Sequence, residues 1–163
     1  FLIVKYHWIE KTKLSKMNIQ PNNLLIEKSG GSDDQPVGRI SILTKDILQD
    51  NKIAYSNFIH KITVTGINPM YLYYYLKTMH NIKITDAMQS QTNGIRNLIM
   101  SEYFNQTIVV PPTSIQDEIV NHITNLRKQA KSLQAEASEI LENAKKEVEA
   151  MILGGNEIGK RDV

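Results

Sequence analysis

The stretch IQDEIVNHITNLRKQAKSLQAEASEILENAKKEVEAMIL, Ile115 to Leu153, decides the architecture, and neither Gly nor Pro interrupts it. Apolar or Ala residues recur at Ile119, Ile123, Leu126, Ala130, Leu133, Ala137, Ile140, Ala144, Val148 and Met151. Alternating steps of four and three make this a heptad seam. One row, Ile119, Leu126, Leu133 and Ile140, is bulky; the other, Ile123, Ala130, Ala137, Ala144 and Met151, is mostly small. Small residues let a partner helix approach closely. At about 1.5 Å per residue the helix spans roughly 58 Å, more than a domain of about a hundred residues can bury. The expectation is a coiled coil with a partner helix over residues 113–153. Gly154-Gly155 stops the helix, and residues 154–163 read as a flexible tail.

Working back towards the N-terminus, residues 1–112 read as a globular α+β domain. The apolar residues of 1–9 suit a strand, and residues 10–23 are polar, with a turn at Pro21-Asn22-Asn23. Asn23 to Lys28 and Val37 to Leu43 read as two strands, joined by a polar loop from Ser29 to Pro36. A further strand falls within Ala54–Val64. Asn68-Pro69 is a helix start, with Asn as cap and Pro at the first helical position. That helix runs to about His80 and sets Leu72, Tyr75, Leu76 and Met79 on one face. Residues 85–97 read as a polar loop with an Asn93-Gly94 turn; Leu98–Met100 reads as a short strand and Ser101 as the cap of a turn over Glu102–Phe104. Thr107–Val110 reads as a last strand, closed by Pro111-Pro112, and Thr113 and Gln116 have capping-box spacing for the long helix.

The totals narrow the function classes. The chain has 163 residues, 41% hydrophobic and 22% charged, enough for one domain plus an extension. No apolar run approaches transmembrane length. The start at Phe1 rather than Met suits a processed product or a piece of a longer chain. With no Cys there is neither a disulfide frame nor a thiolate metal site, which fits a cytoplasmic protein. Residues 1–112 carry twelve Lys/Arg against eight Asp/Glu, and residues 113–163 seven against nine. A mildly basic globular part and a mildly acidic helix suit different partners, although an ordinary surface also carries such a balance.

Two polar segments are candidate sites. In the first, Ser29, Ser32 and Gln35 lie in a Gly-containing loop with Lys28 and Arg39 at its base. Gly-rich turns can cradle phosphate. However, the phosphate-loop pattern is missing and Asp33 and Asp34 repel phosphate, which argues against a nucleotide site. In the second, Gln89, Gln91, Thr92, Asn93, Arg96 and Asn97 gather amide, hydroxyl and guanidinium groups. Asn and Gln pair bidentately with adenine and Arg with guanine. On residues alone both segments also read as ordinary solvated loops.

Other motifs carry less. Asn68-Pro69-Met70-Tyr71 is one residue from the Asn-Pro-Pro-Tyr motif of adenine methyltransferases, but the required glycine-rich cofactor loop does not precede it, and helix capping explains Asn68 and Pro69. The tyrosines at 71, 73, 74 and 75 can stack on bases, yet at helical spacing they serve a core. His7, His60, His80 and His122 lack ligand spacing, so no metal site is expected. The glutamates from Glu136 to Glu149 read as the solvated face of the long helix.

Three segments in order resemble one family. They are EKSGGSDDQPVGRI (27–40), INPMYLYYYLKT (67–78) with QTNGIRNLIMSEYFNQTIVVPPTSIQDEIVNHI (91–123), and the long helix. Together they resemble the target-recognition domain and spacer helix of type I restriction–modification DNA specificity subunits, a module also found fused to N6-adenine DNA methyltransferases. The most specific part is Gly94, Ile108-Val109-Val110, Pro111-Pro112 and Gln116-Asp117-Glu118-Ile119-Val120. Two features depart from the family. It usually has two recognition domains and two spacer helices per chain where this chain has one of each, and Asp117 stands where Gln is common.

The resemblance implies a non-catalytic module that binds double-stranded DNA through its polar loops. It implies methyltransferase and restriction subunits as partners, a second recognition domain or a second copy paired through the helix, no cofactor of its own, and no membrane. A half-subunit, a fragment and the end of a methyltransferase fusion all fit a single copy. Two other classes stay open: a coiled-coil interaction scaffold without DNA readout, which the low net charge favours, and an enzyme, which the missing motifs disfavour.

Overall fold

Leu24, Leu25 and Ile26 form the buried heart of strand β1 (Leu24–Glu27). The computed structural model describes residues 8–49 and 52–153. These fall into two compact units, one up to Val120 and one from Asn121 onward.

In the first unit β1 is the middle strand of an antiparallel sheet between β3 (Ile40–Ile42) and β4 (Ile59–Ile62), which the short helix α2 (Lys45–Gln49) separates in sequence. Leu24 lies between Ile42 and Ile62, and Ile26 between Ile40 and His60. Alternation along a strand turns this set to one face, where α3 (Pro69–Asn81) packs against β3. The opposite face carries Ser41, Leu25 and Lys61. From there the Lys61 ammonium donates to the carbonyls of Met17 and Asn18 at 2.9 and 2.8 Å, capping the C-terminus of α1 (Lys11–Met17). α1 lies in the polar stretch 10–23, ahead of the turn at Pro21-Asn22. It buries no residue, so no hydrophobic period announces it.

The chain then crosses between two sheets. Lys28 N–H donates to the Phe58 carbonyl, and its own carbonyl accepts from Leu98 N–H. Beyond it, β2 (Ser29–Gly31) pairs with β6 (Ile95–Leu98), which pairs with β5 (Gln89–Thr92), all antiparallel. Two expected loops are thus strands. Ser29–Gly31 is an edge strand, and Gln89–Leu98 is a hairpin whose Asn93-Gly94 turn has φ of 52° and 76°. Positive φ at both central residues is the type I′ pattern that matches strand twist. Both strands escaped notice because polar side chains fill them.

α3 matches its sequence expectation. Asn68 Oδ1 accepts from Met70 and Tyr71 N–H, and Pro69 opens the helix. Tyr71, Leu76 and Met79 are buried, with Leu72, Tyr73 and Tyr75 half-buried. The core gathers Leu24, Ile26, Val37, Ile40, Leu76, Met79, Met88, Leu98 and Tyr103. Met88 comes from a 3-10 turn (Ile84–Met88) and Tyr103 from α4 (Met100–Phe104), which begins before Ser101; of the strand expected over 98–100 only Leu98, the end of β6, is strand. Thr107–Val110 forms no strand pairing. Its β-branched residues suggested one, but the Tyr71 hydroxyl donates to the Val109 carbonyl at 2.8 Å, and two prolines follow. The strand expected over 1–9 lies mostly outside the described residues, and Trp8 and Ile9 have no regular structure. The tail from Gly154 onward also lies outside them.

α5 (Thr113–Ile152) is one continuous helix of 40 residues. Gln116 makes no capping box. Its buried side chain accepts from Asn68 N–H and donates to the Pro111 carbonyl, at 2.8 and 2.7 Å. Pro112 instead accepts the first helical N–H groups, from Ile115 and Gln116. The heptad positions Leu126, Leu133, Ile140 and Met151 are all more than half exposed. The small positions Ala130, Ala137 and Ala144 are exposed too.

Candidate nucleic-acid interface

The sheet β2-β6-β5 draws most of the expected site residues together. In its register Ser29 lies opposite Asn97, and Asn97 opposite Ser90. Thr92 lies opposite Ile95. Alternation puts Ser29, Ser90, Thr92, Ile95 and Asn97 on one face. On the other, Gln91 pairs with Arg96 and Gln89 with Leu98. Ser90 to Ile95 are exposed, so the hairpin presents hydroxyl and amide groups around a rigid turn. Ser29 Oγ donates to Asn97 Oδ1 at 2.5 Å, and Asn97 Nδ2 donates to the Ile95 carbonyl, which fixes both rotamers.

The Ser29–Pro36 segment is no open loop. Ser32 N–H donates to the Gln35 carbonyl and Gln35 N–H to the Ser32 carbonyl, at 3.0 and 3.3 Å. This tight turn is seated against Gly31. A Cβ there would lie 2.7 Å from the Gln35 carbonyl oxygen and 2.8 Å from Val37 Cγ1, so the backbone approach needs glycine. Ser32 and Gln35 are exposed beside Asp33 and Asp34.

Both arginines of residues 1–112 are engaged by carboxylates. Arg39 makes a bidentate pair with Glu27, at 2.8 Å from Nε and 2.6 Å from Nη2. The hydrogen bond to Glu27 raises the guanidinium pKa further above its ordinary value. This pair belongs to the β1–β3 side, where Glu27 N–H donates to the Arg39 carbonyl, and not to the polar sheet. Arg96 reaches Asp33 across the polar sheet, Nη2 at 3.1 Å and Nε at 3.4 Å.

Gln89 stands apart from the other expected contacts. Its amide accepts from Val37 N–H and donates to the carbonyls of Val37 and Thr85. That clasp ties β5 to the core, and no sequence signal separates it from Gln91. Lys28 sits at the crossing between sheets, and among the described residues no carboxylate pairs with it.

Two further features escaped the sequence. Asn68 Nδ2 donates to Asp117 Oδ1 at 2.7 Å, so with Gln116 the start of α5 is tied to the start of α3. Asp117, where the family commonly has Gln, is exposed and anchors the helix start through Asn68. The second is Asp33, whose bond to Arg96 spans 63 residues of sequence. Among the described residues no cluster of His, Asp or Glu could hold a metal ion, and no helix is long and apolar enough to cross a membrane.

Comparison with known families supplies the remaining fact. A family model described as the type I restriction modification DNA specificity domain matches residues 6–143. The chain belongs to that family. No curated protein matches it in sequence. The specificity-domain match takes in β1–β6 and most of α5, so one family accounts for both the polar sheet and the exposed heptad helix. The α+β class with a long C-terminal helix stands as expected.

Proposed function

We propose that this specificity domain reads double-stranded DNA and carries no chemistry of its own. The observation that carries the reading is the polar sheet β2-β6-β5. It turns two sequence segments that look like loops into one braced sheet, with hydroxyl and amide groups of Ser29, Thr92 and Asn97 on one face and Gln91 beside the Arg96 guanidinium on the other. A two-stranded ribbon fits the major groove, where each base pair shows a distinct set of donors and acceptors. The readout group is Ser29, Ser32, Gln35, Gln91, Thr92, Asn93, Arg96 and Asn97. Lys28 and Arg39 lie outside it and serve phosphate contact, which positions without specifying. Gln89 is removed from the contact set, because its amide is spent on the core.

Residues 1–112 then act as the recognition domain and 113–153 as the spacer. The helix pairs through its exposed seam with an equivalent helix, in a second recognition domain or a second copy, and so sets the distance between two half-sites. Methyltransferase and restriction subunits supply adenine methylation and cleavage. The test is to sequence methylated adenines in cells with and without the full-length gene. Loss of a two-part methylation motif supports the proposal, and an unchanged pattern overturns it.

One observation favours an interaction scaffold: each arginine of the globular part is already paired. Alanine at Arg96 and Gln91 separates the two readings. Unchanged target choice supports the scaffold, and altered choice supports DNA readout.

A further inference from the structure

We propose that Asp33 is a specificity-determining positioning residue: it holds Arg96 for guanine and competes with backbone phosphate for it. The inference rests on the DNA reading above and adds a role to a residue that reading leaves aside.

The placement of Asp33 is built, not incidental. The Ser32–Gln35 turn is closed from both ends by backbone hydrogen bonds. Gly31, directly opposite Arg96 in the sheet, lets that turn settle where a side chain would block it. Asp33 consequently reaches Arg96 from the neighbouring edge. Both guanidinium contacts, from Nη2 and Nε, fall on one carboxylate oxygen, Oδ1. A guanidinium has five N–H donors, so donors remain for a base edge while the pair stays intact. Guanine offers O6 and N7 as two acceptors to such a fork.

Phosphate is a different competitor. An anionic oxygen that takes the free donors comes up beside the Asp33 carboxylate and is repelled by it, and one that takes the Nε and Nη2 donors must displace Oδ1. Asp33 is well exposed, so the pair is solvent-screened and weak as a stabilising contact. It can therefore exchange, and its effect falls on selection. Off-target DNA meets an arginine whose charge a carboxylate already offsets, whereas a site with guanine in register meets an arginine already aimed. Asp34, the next residue, has the same charge and an exposed side chain, and no ion pair among the described residues. It supplies the internal control for charge alone.

The experiment measures binding of the full chain to a labelled random-sequence duplex across a salt series, with the chain in whatever assembly it forms. Asp33→Asn is expected to tighten binding several-fold more than Asp34→Asn. It is also expected to steepen the slope of log affinity against log salt by about one, the value of one added phosphate contact. Asp33→Glu should restore the wild-type slope, and Asp33→Ser provides a second neutral replacement should the turn tolerate Asn poorly. In an Arg96→Gln background the Asp33→Asn effect should shrink to that of Asp34→Asn. Duplexes selected from a random library should lose one guanine position when Asp33 is Asn. Equal effects of the two neutral variants, or retention of every guanine position, overturn the role of Asp33 while leaving DNA reading in place. If the wild-type chain shows no salt-dependent binding to any duplex, DNA reading itself falls, and this inference with it.

Discussion

The first unit contains two three-stranded antiparallel sheets of nearly equal size, and they differ in almost everything else. The sheet β3-β1-β4 is built around Leu24 and Ile26, neither with measurable exposure. The sheet β2-β6-β5 is mostly polar, its side chains exposed or half-buried apart from Leu98, its contribution to the core. Lys28 is the one-residue link from β1 to β2; the chain returns to the first sheet at β3 and enters the second again at β5. Apolar burial holds the first together, so its side chains are committed to each other. Backbone pairing, a type I′ turn and side-chain hydrogen bonds hold the second, which leaves its exposed side chains at Ser90, Gln91 and Thr92 free to vary without loss of the fold. That division of labour suits a domain whose scaffold must persist while its target changes.

The contrast breaks most visibly at its buried end. Ile26→Ala or Leu24→Ala removes a fully buried side chain and should cost roughly 2–5 kcal/mol. Gln91→Ala or Thr92→Ala, exposed on the hairpin, should stay within about 0.5 kcal/mol of wild type. Urea unfolding of the four variants measures both, and an unchanged midpoint for Ile26→Ala would show that β1 is not the scaffold. The seam between turn and sheet comes next. Gly31→Ala pushes a methyl group into the Gln35 carbonyl and the Val37 side chain, and backbone cannot yield cheaply. A loss of about 1–3 kcal/mol is expected, together with loss of the Asp33–Arg96 geometry. Full wild-type stability would mean that the turn is not seated there.

A finer cut lies within one strand. Gln89 and Gln91 are the same residue type two positions apart on β5, yet Gln89 bonds the core backbone and Gln91 is exposed. Gln89→Ala strands the groups it satisfied on Val37 and Thr85 and should cost on the order of 1–2 kcal/mol. Gln91→Ala should alter target choice at almost no cost in stability. Equal unfolding midpoints for the pair would erase the distinction between clasp and reader.

The same contrast explains what could be read in advance. β1, β3, β4 and α3 carried apolar periodicity or a cap, and α5 carried a heptad, so each was legible. Gln89–Asn97 and Ser29–Gly31 carried neither. β2 follows from pairing with a segment more than sixty residues away, which local composition does not encode, and β5 and β6, paired locally about the Asn93-Gly94 turn, carry too few apolar residues to show a strand period. Thr107–Val110 shows the converse error, a β-branched run that no strand pairs. The candidate site was found by its polar density, but side-chain commitment was hidden. Nothing in the sequence shows that Glu27 holds Arg39, that Asp33 holds Arg96, or that Gln116 is buried against Asn68.

The smallest expected effect concerns the ground beneath the two sheets. His80, near the end of α3, sets Nδ1 at 3.2 Å from the Thr85 hydroxyl, and both flank Gly38 where the chain enters β3. Burial lowers the imidazole pKa below its ordinary value of 6.5; Asp86 and Glu27 raise it and Arg39 lowers it, and burial is the largest influence. The direction of the linkage follows. Above the ordinary value the imidazole is neutral in both folded and unfolded chains, and His80 adds no pH dependence. As pH falls through that value the unfolded chain takes up a proton that the folded chain resists, so stability declines until the lowered folded value is reached. Urea midpoints between about pH 8 and pH 5 should therefore fall in the wild type and fall less in His80→Gln, which keeps a polar group towards Thr85 without titrating. Parallel declines in the two chains would place the pH sensitivity elsewhere and leave the junction of the sheets electrostatically neutral.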